Sequence, residues 1–292
     1  MVLTPFRGRE PPRPSTHLMP QYPSVGQSFR NRAVRCNKTG CTNMQSNVTT
    51  LDVSKYISCA DDVARNAGLN IAMGDDFRQY VAITSKLPGK YPTTPNFNPN
   101  YSDLSPESSF WIVGRDQEDR VAHVQALRLY DLSKTTLVEH LESLRACFAD
   151  PVGKSGLNST CRCYAPSARS ITGRVAYRGD MWFRDDFRGR GLLAPLGRLA
   201  FALAWVNWSP DFIYSLVAEW YIKKRIFDRS GHCHREPHGS VLRLPTLGID
   251  DDEWLLWTTR DELLKMLSNT SEVAREWENH VRDSTLLHSG SL

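Results

Sequence analysis

The stretch from Arg174 to Val217 constrains this chain more than any other, because hydrophobic spacing changes there from strand to helix and back across a glycine-bearing loop. Arg174 to Arg184 reads as a strand, Leu192 to Val206 as a buried Ala/Leu-rich helix, and Phe212 to Val217 as a second strand. A strand–helix–strand unit predicts a parallel pair joined by a right-handed crossover.

The surrounding pattern adds strands of the antiparallel kind. Phe110 to Val113 and Val121 to Tyr130 flank the polar turn Arg115 to Arg120 and read as a hairpin; further strands fall near Cys233 to Leu244 and Glu253 to Thr258. Thr136 and Glu139 make a capping-box pattern before a helix lined by Leu137, Leu141, Leu144 and Phe148, which Asp150-Pro151-Val152-Gly153 is expected to stop. A shorter helix is expected from Tyr221 to Arg229, ending at Gly231, and Thr259 with Glu262 caps a last helix carrying Leu263, Leu264 and Leu267. Upstream, Val53 to Ala67 has helical spacing, Phe77, Tyr80, Val81, Thr84 and Leu87 suggest a second helix, and Pro92 to Ser108 reads as a long loop. The fold class expected is α/β of the mixed α+β kind, with one central, mostly antiparallel sheet.

Charge and composition narrow the partners. No apolar run reaches the ~18 residues of a membrane span, the longest candidate, Leu192 to Trp208, being broken by Pro195, Gly197 and Arg198. The net charge is +4. Residues 1–51 hold seven bases (Arg7, Arg9, Arg13, Arg30, Arg32, Arg35, Lys38) against Glu10, a balance of +6 that leaves the rest at −2. A body of slight negative charge lacks the basic face that nucleic acid requires, so nucleic acid is expected only through the tail, if at all. Residues 1–50, rich in Pro, Arg, Ser, Thr and Asn without periodicity, are expected to be a disordered basic tail resembling a transit peptide that lacks an apolar face. A domain from 51 to 259 and a C-terminal helix and tail from 260 to 292 follow. The seven cysteines are odd in number and irregularly spaced, which fits free thiols in a cytoplasmic protein.

The loop Arg184-Asp185-Asp186-Phe187-Arg188-Gly189-Arg190-Gly191-Leu192 carries the chemistry. Two glycines allow a tight turn and close approach of main chain to a ligand. The helix opening near Leu192 offers free N–H groups and a positive dipole end, which suit a pyrophosphate, and Arg188 and Arg190 add charge-assisted bonds. Pro195 in the first turn lacks an N–H where it is needed least. A plain basic surface turn between strand and helix has the same composition, and the tetrapeptide alone does not separate the two.

Arg188-Gly189-Arg190-Gly191-Leu192-Leu193 resembles the Arg/Gln-x-x-Gly-x-Gly/Ala pattern of the GNAT superfamily of acyl-CoA-dependent N-acyltransferases, with Leu193 where Gly or Ala is usual. The resemblance spans roughly Phe110 to Thr258, and Asn70-Ile71-Ala72 is the candidate for the family's first strand. It implies that the parallel pair is splayed, that Met181, Trp182 and Phe183 offer main-chain groups to a pantetheine arm, and that Arg188, Gly189, Arg190, Gly191 and Leu192 hold the pyrophosphate of acetyl-CoA or another acyl-CoA. It further implies direct transfer of an acyl group, most simply acetyl, to a small-molecule or peptide amine, with no metal and no covalent enzyme intermediate. Arg225 to His232 looks like the family's short helix ending in Gly, but Phe227 stands where many members have a Tyr that protonates the departing thiolate. Tyr221 is the substitute, from another face of that helix. Such a thiolate leaves tolerably well unaided, a free thiol having pKa about 8.5.

An amine must lose a proton to attack, and Asp180 and Glu219, at the ends of the two strands, are the candidate bases, each otherwise an ordinary solvated or paired carboxylate. His232-Cys233-His234 with His238, and Cys161-Arg162-Cys163, have zinc-compatible residue types without zinc spacing, and no metal is expected. Trp182 and Trp220 are candidate walls of an acceptor pocket. Two other function classes stay open: a non-catalytic CoA or nucleotide sensor on the same fold, and nucleic-acid binding by the tail. Acceptor and oligomeric state are not legible.

Overall fold

The computed structural model describes residues 48–271 and Arg275. Nearly all of the expected tail, with Cys36 and Cys41, lies outside the described residues. In chain order the elements are α1 (Thr50–Asn66), β1 (Asn70–Gly74), α2 (Phe77–Thr84), β2 (Ser109–Arg115), β3 (Val121–Leu132), α3 (Leu137–Glu142), α4 (Pro151–Lys154), β4 (Thr160–Arg162), β5 (Gly173–Phe183), α5 (Leu193–Trp208), β6 (Phe212–Ala218), α6 (Glu219–Lys223), β7 (His234–Leu244), β8 (Ile249–Thr259) and α7 (Arg260–Leu267). The strands form a single mixed sheet in the order β1-β2-β3-β5-β6-β8-β7-β4. β5 and β6 are parallel and every other neighbouring pair is antiparallel, the fold class expected.

Local chemistry sets most boundaries. The Thr136–Glu139 and Thr259–Glu262 capping boxes open α3 and α7 as expected, and Thr49 with Asp52 opens α1 the same way. Two helices differ from the sequence reading. α3 ends at Glu142 instead of running to Phe148, because Leu144 takes a left-handed φ of 60°, and Pro151 begins α4 under an Asp150 cap rather than merely stopping a helix. The helix expected from Tyr221 to Arg229 is broken at Arg225 (φ 55°), so α6 is followed by a separate 3-10 turn, Phe227–Arg229. Cys161, expected in a loop, lies in the edge strand β4, paired with β7.

Alternation along the strands divides the core in two. One face packs Val53, Tyr56, Ala60 and Val63 of α1 with Leu196, Leu199 and Phe201 of α5 and Leu263 and Leu267 of α7. The other holds Tyr80, Phe97, Trp111, Tyr177, Tyr214, Cys147 and Cys161. Because Leu263 and Leu267 are buried there, the compact unit continues past residue 259.

β5 and β6 pair only at Val175↔Phe212, Ala176↔Ile213 and Tyr177↔Tyr214, then diverge. The Ser215 hydroxyl donates to the Arg178 carbonyl at 2.7 Å and closes the narrow end. Beyond it β5 pairs only with β3 and β6 only with β8, which leaves a gap in the middle of the sheet. A bulge lies beside it on β5: Asp180 and Met181 together oppose Gln125, and Asp180 has φ 55°.

Candidate functional site

The glycine loop stands at the wide end of this gap, on the α5 face. Gly189 and Gly191 have φ of 75° and 74°, a region that costs an L side chain roughly 1–2 kcal/mol, and a Cβ at Gly189 would meet open space. Their use is therefore conformational. Arg188 Nε donates to the Phe183 carbonyl at 3.0 Å and its Nη1 pairs with Asp185 at 2.7 Å, so Arg188 ties the loop to β5. The Arg190 guanidinium lies over the Phe187 ring, 4.4 Å from its centroid, and among the described residues no carboxylate bonds to it.

Helix α5 begins without a side-chain cap. Leu192 occupies the cap position, the first backbone bond runs from Leu196 N–H to the Leu192 carbonyl at 3.1 Å, and Pro195 has no N–H to give. Thr49, Asp76, Thr136 and Thr259 cap α1, α2, α3 and α7 with side-chain oxygens. The start of α5 thus keeps its positive dipole end beside two exposed or aromatic-stacked arginines.

Strand alternation decides which main-chain groups of Met181, Trp182 and Phe183 face the gap. Arg184 N–H bonds to the Ala122 carbonyl at 2.9 Å, and the Trp182 carbonyl meets His123 Nδ1 at 2.9 Å, both toward β3. Phe183, between them, turns its N–H and C=O the other way, toward β6, as does Met181 two residues earlier. Trp182 is buried instead of open to an acceptor.

The opposite face presents different chemistry. Asp180 is buried there with Lys90, whose Nζ donates to Oδ1 at 2.7 Å, while the Tyr80 hydroxyl donates to Oδ2 at 2.7 Å. Burial pushes its pKa up, Lys90 and Tyr80 pull it down, and both oxygens are taken. Glu219 is exposed at the start of α6 and paired with Lys223 at 2.7 Å. Neither carboxylate is free.

Among the described residues Glu253 has no hydrogen-bond or ion-pair partner. It sits on β8 opposite Ala218 of β6, at the wide end of the gap, and opposite Ser240 of β7. Alternation with Leu255 and Trp257 turns it to the aromatic face, where its charge is felt by Tyr177, Cys147 and Cys161. It remains partly exposed but is surrounded by protein, and that burial, with Asp251 and Asp252 adding like charge, pushes its pKa up to about 8. A carboxyl group titrating there is poised to exchange a proton at neutral pH. The only signal in the sequence was the acidic run Asp250-Asp251-Asp252-Glu253, whose face and depth depend on pairing.

The remaining sequence candidates disperse. Tyr221 is buried with its hydroxyl near Arg178 and Ser230, Phe227 lies under the Arg235 guanidinium at 4.8 Å, and Trp220 is exposed beneath Lys224. His232 is buried, His234 bonds Glu262 at 2.7 Å, and His238 pairs with Asp252 at 2.9 Å. Among the described residues no group of three or more His, Cys, Asp or Glu could hold a metal ion, Cys147, Cys161, Cys163 and Cys233 form no disulfide, and no helix is long and apolar enough to cross a membrane.

No family model matches the sequence, and neither does any curated protein. Among solved structures, GNAT acetyltransferases match in fold at low identity. A spermidine N-acetyltransferase SpeG variant of Vibrio cholerae is 10% identical, with 69% of this chain and 99% of that one covered and a TM-score of 0.39. Arabidopsis thaliana NAA60 in complex with acetyl-CoA is 12% identical over 65% and 98% of the two chains, with a TM-score of 0.38. The Vibrio cholerae spermidine enzyme in complex with CoA and spermine is 10% identical over 68% and 99%, with a TM-score of 0.36.

Proposed function

We propose that this chain transfers an acyl group from an acyl-CoA directly to an amine. The observation that carries the reading is the gap between β5 and β6, which has an uncapped helix start and a glycine–arginine loop at its wide end on one face and an unpaired carboxyl group on the other. The donor's pyrophosphate would take the N–H groups at the start of α5 and the Arg190 guanidinium, and the main chain of Met181 and the Phe183 N–H would bond its extended arm. The thioester supplies the activated acyl carbon.

Glu253 accepts the proton that an ammonium group must lose before its nitrogen bonds to that carbon. Its pKa of about 8 lies within reach of an amine near 8–10, so the transfer is close to balanced. Asp180 and Glu219 are less suited, their oxygens being held by Lys90, Tyr80 and Lys223. As the carbon–sulfur bond breaks, Tyr221 would return a proton to sulfur, while Phe227 has none to give. The acidic, aromatic setting of Glu253 favours a cationic amine as acceptor.

Thermal unfolding with coenzyme A, acetyl-CoA and ATP tests the reading. Both CoA forms are expected to stabilise the protein, by about 2.7 kcal/mol at ~100 times the dissociation constant, and ATP less. Arg190→Ala should weaken donor binding by on the order of 1–3 kcal/mol. Glu253→Gln should keep the CoA shift yet slow amine acylation by roughly 10²–10⁴-fold. A folded sample that responds to no CoA form would overturn the proposal.

A further inference from the structure

Arg178 is 3% exposed, and among the described residues its Nη1 has no hydrogen-bond partner and no carboxylate pairs with it. An arginine stays charged at any physiological pH, so the cost of burying it falls only when an anion or strong acceptor arrives. Its neighbours supply no counter-charge: the Tyr221 hydroxyl beside it is a neutral group, and among the described residues His232 Nε2 is buried without a hydrogen-bond partner. Burial pushes the His232 pKa well down, with Arg178 adding to the effect, and pushes that of Tyr221 up, so both are neutral near pH 7. Nearby His123 is likewise held neutral, its pKa pushed down to about 3 chiefly by burial.

The site is built around this guanidinium. A Cβ at Gly197 of α5 would fall 2.5 Å from Nη1, so the helix makes room for it by having none. Phe201 gives its ring at 5.2 Å, and Ser230 orients His232 through a contact of 3.1 Å to Nδ1. Arg178 is also the first residue of β5 past the last parallel pair, on the α5 face, at the narrow end of the gap. From Phe183 back to Arg178 the strand covers roughly 16 Å. A donor whose pyrophosphate lies at the glycine loop therefore brings its reacting end toward Arg178.

We infer that Arg178, with the Tyr221 hydroxyl and His232, forms a buried subsite for a carboxylate carried on the donor's acyl group, so that the donor is a carboxyacyl thioester of coenzyme A. The inference rests on the acyl-CoA reading and names its acyl class. One carboxylate matches one guanidinium in charge and can be held by two parallel N–H bonds. A plain acetyl group brings no charge and leaves Arg178 as it is. The acyl group passed to the amine then carries its carboxylate with it, and no bond beyond the thioester is broken.

The test compares malonyl-CoA and succinyl-CoA with acetyl-CoA and the length control butyryl-CoA, by calorimetry on the full chain and on Arg178→Met and Tyr221→Phe. The carboxyacyl donors are expected to bind at least about tenfold more tightly than the neutral pair. Arg178→Met should erase that preference and Tyr221→Phe should reduce it several-fold. Without ligand, Arg178→Met should melt at or above the parent's temperature, because the substitution removes an uncompensated buried charge. Equal affinity for all four thioesters, or a preference that survives Arg178→Met, overturns the subsite and leaves the acyl-CoA reading standing. Binding of none of the four overturns both. If Arg178→Met does not fold, the parent's own preference and Tyr221→Phe decide.

Discussion

Glu253 shows how one residue can oppose stability and serve chemistry. Its pKa is raised from an ordinary 4.5 to about 8, so between those values the folded state holds more protons than the unfolded state. Stability from this group is then full below the lower value and is lost as pH rises through the upper one. Glu253→Gln should accordingly raise the melting temperature by several degrees above pH about 8 and by little near pH 5. Melting curves of both proteins across that range check it, and an equal shift at both ends would show that Glu253 is not held protonated by its surroundings. The glycine turn from Arg188 to Leu192 was legible in the sequence because adjacent residues make it. Glu253 was not, because the groups that feel its charge, Tyr177, Cys147 and Cys161, come from β5, the α3–α4 connection and β4.

At the scale of elements, β7 sets where Glu253 stands. Its register with β8 shifts between Glu236 and Ser240, and Gly239 lies in that irregular stretch. A Cβ there would fall 2.4 Å from Leu255 Cβ and 2.5 Å from Leu255 N, so the strands would have to part. Gly239→Ala should cost about 1–3 kcal/mol of stability and slow acylation by shifting Glu253, two residues along β8 from Leu255. Its effect on CoA binding should be small, because the donor's contacts lie on β5 and α5. Urea unfolding, donor titration and turnover together separate these outcomes, and a loss confined to CoA binding would misplace the two faces. The helix expected over Tyr221 to Arg229 belongs to this scale too. Its apolar spacing is helical, yet Arg225 in the left-handed region divides it.

In the molecule as a whole, α1 and α5 cover one face of the sheet together, burying Val53, Tyr56, Ala60 and Val63 against Leu196, Leu199 and Phe201. The start of α1 is therefore part of the domain, and its Thr49–Asp52 capping box marks where it may be cut. A chain shortened to begin at Gln45 should unfold cooperatively and respond to CoA like the full chain. One beginning at Leu51 loses the cap and should be less stable by about 1 kcal/mol. Chemical denaturation of the three forms measures this. Equal stability of the two shortened chains would show that the cap contributes nothing.

The sequence by itself determined most of the strands and helices in their order, the parallel pair and the glycine–arginine loop, because period, capping boxes and glycine chemistry act over a few neighbouring residues; the short β4 and α4 and the break at Arg225 it did not mark. It also marked Asp180, but not that Lys90 and Tyr80 would occupy both of its oxygens. Tertiary structure alone decided where β5 and β6 part, which main-chain groups face the gap, and that among the described residues Glu253 is left without a partner and Arg178 is buried without a counter-charge. Burial and pairing are properties of the whole set of neighbours. For these groups the neighbours come from elements far apart in the chain, and no local pattern encodes which of them will meet.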